Sequence, residues 1–202
     1  PDAAARSRLR ARYGLGGAPT AVCVSRLVAR KGQDSLIGAW PRVVERVPGA
    51  RLVIVGWGPS ARRLALLKRN SPVRGSIILT GAVPHDELPG HVAMGDVFAM
   101  PCRTRGGGLD VEGLGIVFLE ASATGLPVIA GTSGGAPETV EDGVTGDVVD
   151  GRDGDALVSA LVRQLSDPAL RERMGRAGRE LMERRWTWPG LVAGLVEAVD
   201  AR

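Results

Sequence analysis

Residues 103–121, RTRGGGLDVEGLGIVFLEA, combine two acidic side chains with a run of glycines. Residues 115–117 have the composition of a helix start, where backbone N–H groups and the positive end of the helix dipole favour a phosphate. Glu120 would lie one turn inside that helix and Glu112 just before it, and carboxylates accept hydrogen bonds from hydroxyl groups. A phosphate next to hydroxyl-rich groups is the chemistry of a sugar nucleotide, which is the first hypothesis for this chain.

A second set of chemically competent residues contains the cations Arg26 and Lys31. A guanidinium and an ammonium can together hold a diphosphate, provided that the intervening loop folds back, which Gly32 would ease. Two solvated surface cations are the simpler interpretation when these residues are taken alone. Arg103 and Arg105, beside the glycine run, are open to contact with phosphate, acceptor or solvent.

The remaining motifs are weaker. Residues 56–59, GWGP, contain a G-x-G that indicates an ordinary strand-to-helix turn. Residues 81–85, GAVPH, offer backbone groups that could meet the edge of a nucleobase. His85 and His91 are the only histidines, and neither has a nucleophile partner or the spacing of a metal site, so both are predicted to lie on the surface. His85 is also close enough in sequence to the proposed base pocket to remain a candidate for it.

Short apolar segments alternate with helical patterns along most of the chain. Strands are predicted at 21–25, 51–56, 76–80, 97–101, 127–130 and 146–149. Helices are predicted near 34–47, 60–70, 86–93, 116–124, 155–165, 168–185 and 187–201, with Asp167 and Thr187 as N-caps and Gly125 as a left-handed helix stop. This alternation predicts an α/β fold with a Rossmann-like doubly wound parallel sheet and C-terminal helices, in which ligands bind at the carboxyl ends of the strands.

Composition excludes some classes of protein. The 202 residues suffice for one α/β domain, and an aromatic content of 3% argues against a nucleic-acid-binding module that stacks bases. A net charge of +4 is compatible with an anionic ligand or a membrane surface. Cys23 and Cys102 are predicted to be reduced thiols, and no apolar run is long enough to span a bilayer.

Taken together, these motifs resemble the C-terminal donor-binding domain of GT-B retaining glycosyltransferases. The resemblance covers nearly the whole chain and is carried by residues 25–32, residues 81–83 and the pair of glutamates around residues 115–117. Within that superfamily, the run MPCRTRGGGLDVEGLGIVFLEA and the following GTSGGAPETV resemble the GDP-mannose-dependent phosphatidylinositol monomannoside mannosyltransferases of actinobacteria.

The resemblance implies a catalytic set of Glu112, Arg26 and Lys31. The two cations would hold the donor diphosphate and stabilise its charge as the glycosidic bond breaks. Glu112 would position the hydroxyls of the transferred sugar without acting as a nucleophile. No metal and no cofactor are expected, because the cations supply the electrostatic stabilisation.

The resemblance also assigns donor-binding residues. Gly115, Ile116 and Val117 would form the helix start that offers backbone N–H groups to phosphate. Glu120 would bind the ribose hydroxyls, and the Val83 backbone would meet the guanine.

The implied organisation has three parts, and the chain resembles a fragment of a longer protein. Residues 1–18 would be the remnant of an interdomain linker, 19–186 the nucleotide-sugar-binding domain, and 187–202 a helix that crosses to a missing N-terminal domain. The apolar face of that helix is expected to be exposed, at Leu191, Val192, Leu195 and Val196. Without the N-terminal domain the chain is expected to bind donor weakly and to transfer no sugar.

The partners expected of the full-length enzyme are a nucleotide sugar and an anionic lipid acceptor, with no nucleic acid. Its expected location is the cytoplasm, peripherally at the inner face of the plasma membrane. Alternatives are a glycosyltransferase that uses another nucleotide sugar, a nucleotide-sugar epimerase, and a non-catalytic nucleotide-sugar-binding module.

Overall fold

The computed structural model describes residues 3–200 and arranges them around a six-stranded sheet. The strands are β1 (Thr20–Val24), β2 (Arg51–Val55), β3 (Ile77–Gly81), β4 (Val97–Met100), β5 (Val128–Gly131) and β6 (Gly146–Val149). Neighbouring strands are parallel, and their order across the sheet is β3-β2-β1-β4-β5-β6. Every predicted strand is present with its ends shifted by one residue at most. The predicted doubly wound, Rossmann-like architecture is therefore confirmed.

Helices connect the strands and cover the sheet. They are α1 (Ala3–Arg12), α2 (Gln33–Arg46), α3 (Ala61–Asn70), α4 (Leu88–Ala93), α5 (Ile116–Ala123), α6 (Gly154–Ser166), α7 (Pro168–Arg185) and α8 (Trp188–Asp200). The Asp167 carboxylate accepts a hydrogen bond from the Leu170 N–H, which confirms the predicted N-cap of α7. Gly125 has a φ of 78° and ends α5, also as predicted.

The core fixes α5 against the middle of the sheet. Every residue of β1 is buried, which indicates that helices cover both faces of the sheet. Phe98 on β4 and Phe118 on α5 are fully buried and meet edge to face, with their ring centroids 5.9 Å apart. Because α5 follows β4 along the chain, its start lies at the carboxyl edge of the sheet, where doubly wound folds bind ligands.

Residues 3–12 form a helix that was not expected from the sequence. This helix, α1, packs against α4 and is held by ion pairs to Asp96. Arg6 and Arg10 approach the two Asp96 carboxylate oxygens at 2.6 and 3.4 Å, and the Thr20 N–H donates to the same carboxylate at 2.8 Å. The carboxylate of Asp96, the residue before β4, thus connects α1 to β1 and to β4.

His91 corrects the prediction that both histidines lie on the surface. Its side chain is fully buried, and the ring nitrogens are 2.8 Å from the Glu87 carbonyl oxygen and 3.0 Å from the Tyr13 hydroxyl. Tyr13 follows α1, so the packing of α1 buries this histidine. His85 is exposed, as predicted.

The last helix, α8, presents an uncovered apolar face. Trp188, Leu191, Val192 and Val196 are 80%, 43%, 54% and 53% exposed. The exposure of Leu191, Val192 and Val196 was expected from the sequence, whereas Trp188 was not part of that expectation. The Leu195 side chain, named in the same expectation, lies outside the described residues. Among the helices that the structure describes, none combines the length and the apolar character needed to cross a bilayer.

Candidate functional site

The loop after β1 folds back on itself and carries the two predicted cations. Gln33, at the start of α2, donates from Nε2 to the Ser25 hydroxyl at 2.9 Å and to the Arg26 carbonyl oxygen at 3.1 Å. Gly32 has a φ of 75°, and a Cβ at this position would lie 2.1 Å from the Pro101 carbonyl oxygen. Only glycine allows this approach, which brings Lys31 to the end of β4.

Lys31 and Glu112 form a buried ion pair across 81 positions of sequence. The Lys31 Nζ lies 2.7 Å from a Glu112 carboxylate oxygen, and 11% and 7% of the two side chains are exposed. Arg30 adds a second cation, with its Nε 3.6 Å from the same oxygen. The Glu112 N–H donates to the Ser133 hydroxyl at 3.0 Å, which fixes the backbone behind the carboxylate. Sequence reasoning missed the contributions of Arg30, Ser133 and Gln33.

Helix α5 starts where the sequence predicted, at Ile116, with Gly115 as its N-cap in the left-handed conformation (φ 76°). The first turn of a helix leaves N–H groups without helical partners, and these groups point away from the helix. A Cβ at Gly115 would lie 2.6 Å from the Phe118 ring and 3.6 Å from the Glu112 Cγ. Glu112, and through it Lys31, therefore lies beside the start of α5.

A cavity of about 340 Å³ lies next to this cluster, at the carboxyl edge of β1, β2 and β3. It is lined by Arg26, Trp57, Ala82, Val83, Val117 and Glu120, among others. Four of the predicted donor-binding residues thus line one cavity: Arg26, Val83, Val117 and Glu120. The ion pair of Lys31 and Glu112 adjoins this cavity, beside Gly115. Ile116, which stands between Gly115 and Val117 in the sequence, is 65% exposed.

Arg103 has a structural partner, whereas the sequence left its contacts open. Its guanidinium donates to both Asp34 carboxylate oxygens, at 2.8 and 2.7 Å, and to the Ser35 hydroxyl at 2.7 Å. These bonds attach the loop after β4 to the first turn of α2. Arg105 lies 3.7 Å from Asp110 and is about half exposed.

We expect this pairing to make the stability of the chain sensitive to acid. Burial alone would raise the pKa of Asp34, but the hydrogen bonds and charge of Arg103 outweigh burial and hold that pKa below its ordinary value of 3.8. A lowered folded-state pKa stabilises the protein above the unfolded-state pKa, and this contribution is lost as the pH falls through the folded-state pKa. The Asp34→Asn variant should therefore be less stable than the unmodified chain at neutral pH, by about 2 kcal/mol.

Urea unfolding at neutral pH and at about pH 3 measures this difference. The gap between the two proteins should shrink at the acidic pH. Asp155→Asn serves as the control, because Asp155 pairs with Arg42 on the surface and is 83% exposed. A gap that stays the same at both pH values would contradict the prediction.

The two cysteines lie under the site as unpaired, buried thiols. Burial raises the pKa of Cys23 to about 12 and also raises the pKa of Cys102. Both sulfurs are therefore protonated at neutral pH and poor nucleophiles. Nothing in their surroundings suggests a direct chemical role.

Comparison with known proteins places the chain in a family. The family described as glycosyl transferases group 1 matches residues 6–181. The chain is 57% identical over 197 residues to a Mycobacterium tuberculosis protein named GDP-mannose-dependent alpha-(1-6)-phosphatidylinositol monomannoside mannosyltransferase, covering 98% of this chain and 51% of the relative. A Mycolicibacterium smegmatis protein of the same name is 55% identical, with 100% of this chain and 53% of the relative covered. The chain thus spans about half the length of these relatives.

Solved structures show the same fold. Anabaena HepE in complex with UDP and glucose superimposes with a TM-score of 0.85 at 21% identity, over 100% of this chain and 53% of that one. Sucrose-phosphate synthase from Thermosynechococcus elongatus gives a TM-score of 0.82 at 28% identity, over 100% and 49%. The chain belongs to the group 1 glycosyl transferase family and has the fold of the C-terminal half of a GT-B glycosyltransferase.

Proposed function

We propose that this chain is the donor-binding half of a retaining glycosyltransferase that transfers mannose from GDP-mannose to a phosphatidylinositol mannoside. The observation that carries the proposal is the convergence of Lys31, Glu112 and the start of α5 beside the cavity that contains Arg26 and Glu120. Cations, helix N–H groups and carboxylates at one edge match a ligand that has both phosphates and hydroxyls. The names of the relatives supply the identity of the sugar and of the lipid.

In this proposal the donor diphosphate lies between Arg26, Lys31 and the first turn of α5. The N–H groups of Ile116 and Val117, after the Gly115 cap, donate to phosphate oxygens. The cations neutralise the negative charge that grows on the diphosphate as the bond to mannose breaks. No metal or cofactor is part of this proposal.

The rest of the donor extends in two directions from the diphosphate. Glu112 accepts hydrogen bonds from the hydroxyls of mannose, next to Lys31. Glu120, which lines the cavity, accepts from the hydroxyls of ribose. The guanine meets backbone groups at Val83, on the same cavity.

The proposed reaction retains the configuration at the sugar carbon. The bond between mannose C1 and the phosphate oxygen breaks, and the acceptor hydroxyl oxygen attacks C1 on the same face. The departing phosphate oxygen takes the proton of that hydroxyl, so GDP leaves as the mannoside forms. Glu112 is buried and paired with Lys31 at 2.7 Å, an arrangement that suits a positioning carboxylate better than a nucleophile.

The acceptor half of the site belongs to the N-terminal domain in this proposal. The acceptor is an anionic lipid, and the whole enzyme works peripherally at the inner face of the plasma membrane. The uncovered apolar face of α8 is where the chain returns to that domain. The chain alone therefore binds donor but transfers no mannose.

Calorimetry with four ligands tests the proposal. We expect GDP-mannose and GDP to bind at least about tenfold more tightly than UDP-glucose and UDP-N-acetylglucosamine. We also expect no mannosyl transfer to a lipid acceptor by the chain alone. Preference for a uridine nucleotide would reject the mannosyl assignment. If none of the four ligands bound, a donor site would be rejected altogether.

A further inference from the structure

Trp57 is a large side chain exposed at the edge of the cavity. It is 67% exposed and lines the cavity together with Arg26, Val83 and Glu120. Isolated exposed apolar residues are common on protein surfaces and need no explanation of their own. Trp57 differs from these because its backbone is held in one position.

Close backbone contacts fix the loop that carries Trp57. The Leu27 N–H donates to the Trp57 carbonyl oxygen at 3.0 Å. A Cβ at Gly56 would lie 2.0 Å from the Ser25 carbonyl oxygen, and a Cβ at Gly58 would lie 2.4 Å from the Leu27 carbonyl oxygen. The two glycines allow the loop to lie directly against the loop after β1. The indole therefore projects from a rigid base that also carries Arg26.

The order of the strands indicates what the indole faces. Across the carboxyl edge, Val83 follows β3, Trp57 follows β2, Arg26 follows β1 and Glu112 follows β4. A nucleotide sugar has a linear order of sugar, diphosphate, ribose and base. With the sugar at Glu112 and the diphosphate at Arg26, the base reaches the loops after β2 and β3.

We infer that the indole of Trp57 is the face on which the nucleobase of the donor stacks. This inference rests on the proposed function, because it extends the same ligand along the same edge. Every base has a flat π-face, so stacking adds affinity for any nucleotide, while polar groups at the edge of the base set the choice among bases. Trp57 is then a positioning residue for the base and takes no part in the chemistry at the sugar.

Two substitutions at Trp57 and two ligands test this inference in the isolated chain. Trp57→Leu keeps apolar volume but removes the aromatic face, and Trp57→Phe keeps a smaller face. We expect the leucine variant to lose about tenfold in GDP affinity and the phenylalanine variant to lose less. Pyrophosphate has no base, so its affinity should be the same in all three proteins. Calorimetry measures both ligands.

Tryptophan fluorescence gives a second readout. GDP should quench the unmodified chain but not the Trp57→Phe variant, since the stacked indole is then absent. Trp188→Phe is the matched control, because Trp188 is 80% exposed on α8 and should leave the quenching in place.

The outcomes separate this inference from the proposed function. Unchanged GDP affinity in Trp57→Leu would overturn the stacking role and leave the donor site intact. Equal losses for GDP and pyrophosphate would show that Trp57 only supports the loop of Arg26, which also overturns it. If the unmodified chain bound neither ligand, the proposed function would fail first.

Discussion

Replacing Lys31 with methionine is expected to lower GDP affinity about 100-fold and the free energy of unfolding by about 3 kcal/mol. The ammonium lies 2.7 Å from the Glu112 carboxylate, and both side chains are almost fully buried. Methionine removes the charge while keeping an unbranched stem, so the proposed site loses a phosphate ligand. The same change leaves a buried carboxylate without its nearest cation, which is costly. Calorimetry with GDP and urea unfolding measure the two effects.

Glu112→Gln separates the two roles within this ion pair. GDP affinity should be retained, because the proposed partner of Glu112 is mannose, but the advantage of GDP-mannose over GDP should shrink. The double variant should be more stable than Lys31→Met alone, since no uncompensated carboxylate remains. Lys68→Met, at the other lysine of the chain, is the control and should change neither quantity. A Lys31→Met variant that binds GDP within about twofold of the unmodified chain would rule out contact with phosphate.

Gly134→Ala is the second substitution with a large expected effect. Gly134 has a φ of 55°, and a Cβ there would lie 1.6 Å from the Glu112 carbonyl oxygen. The next residue, Gly135, donates its N–H to the Gly113 carbonyl oxygen at 2.7 Å, so the two loops cannot separate without losing this bond. We expect a loss of about 3 kcal/mol or more in the free energy of unfolding, from backbone strain and from the clash together. We also expect weaker discrimination between GDP-mannose and GDP, because Glu112 is displaced.

Gly143→Ala isolates the clash from the strain. Gly143 has a φ of 76°, so alanine is strained there too, but apart from its chain neighbours no atom of the described residues lies within 4 Å of the added Cβ. This control should cost about 1 kcal/mol. Urea unfolding of both variants gives the comparison, and equal stabilities would mean that the contact with Glu112 does not hold the loop.

The sheet could be predicted from the sequence because its signals are local. Each strand is a short apolar segment bounded by Gly, Pro or Asp, and this pattern is typical of parallel strands that are buried on both faces. Helix α1 lacked such a signal: its ten residues have no acidic side chain in the first turn, none of them is buried, and they include four arginines. It is held instead by long-range contacts, namely packing against α4 and ion pairs to Asp96, more than 80 residues away. The burial of His91 depends on the same long-range packing, which is why that prediction was wrong.

The position of the start of α5 was predictable, because residue types in the sequence mark where this helix begins. Glycine followed by apolar residues predicted the start of α5 at Ile116, and the structure places it there. The contacts of individual charges were not predictable in this way. Arg103 stands beside the glycine run in sequence, yet it turns to Asp34. The role of Trp57 was hidden because G-x-G alone indicates only a turn, and its rigidity arises from contacts with a distant loop.

Several glycines along the carboxyl edge of the sheet lie directly against backbone atoms of a neighbouring loop, and this limits which residues of the edge can be substituted. A methyl group at Gly131 would lie 1.8 Å from the Cys102 carbonyl oxygen, much as at Gly32, Gly58 and Gly134. Two backbone segments are in direct contact at these points. A substitution there therefore destabilises the fold and is not a route to a changed ligand preference. New ligand preferences, whether from natural drift or laboratory selection, must therefore arise at positions whose side chains line the cavity, such as Glu120.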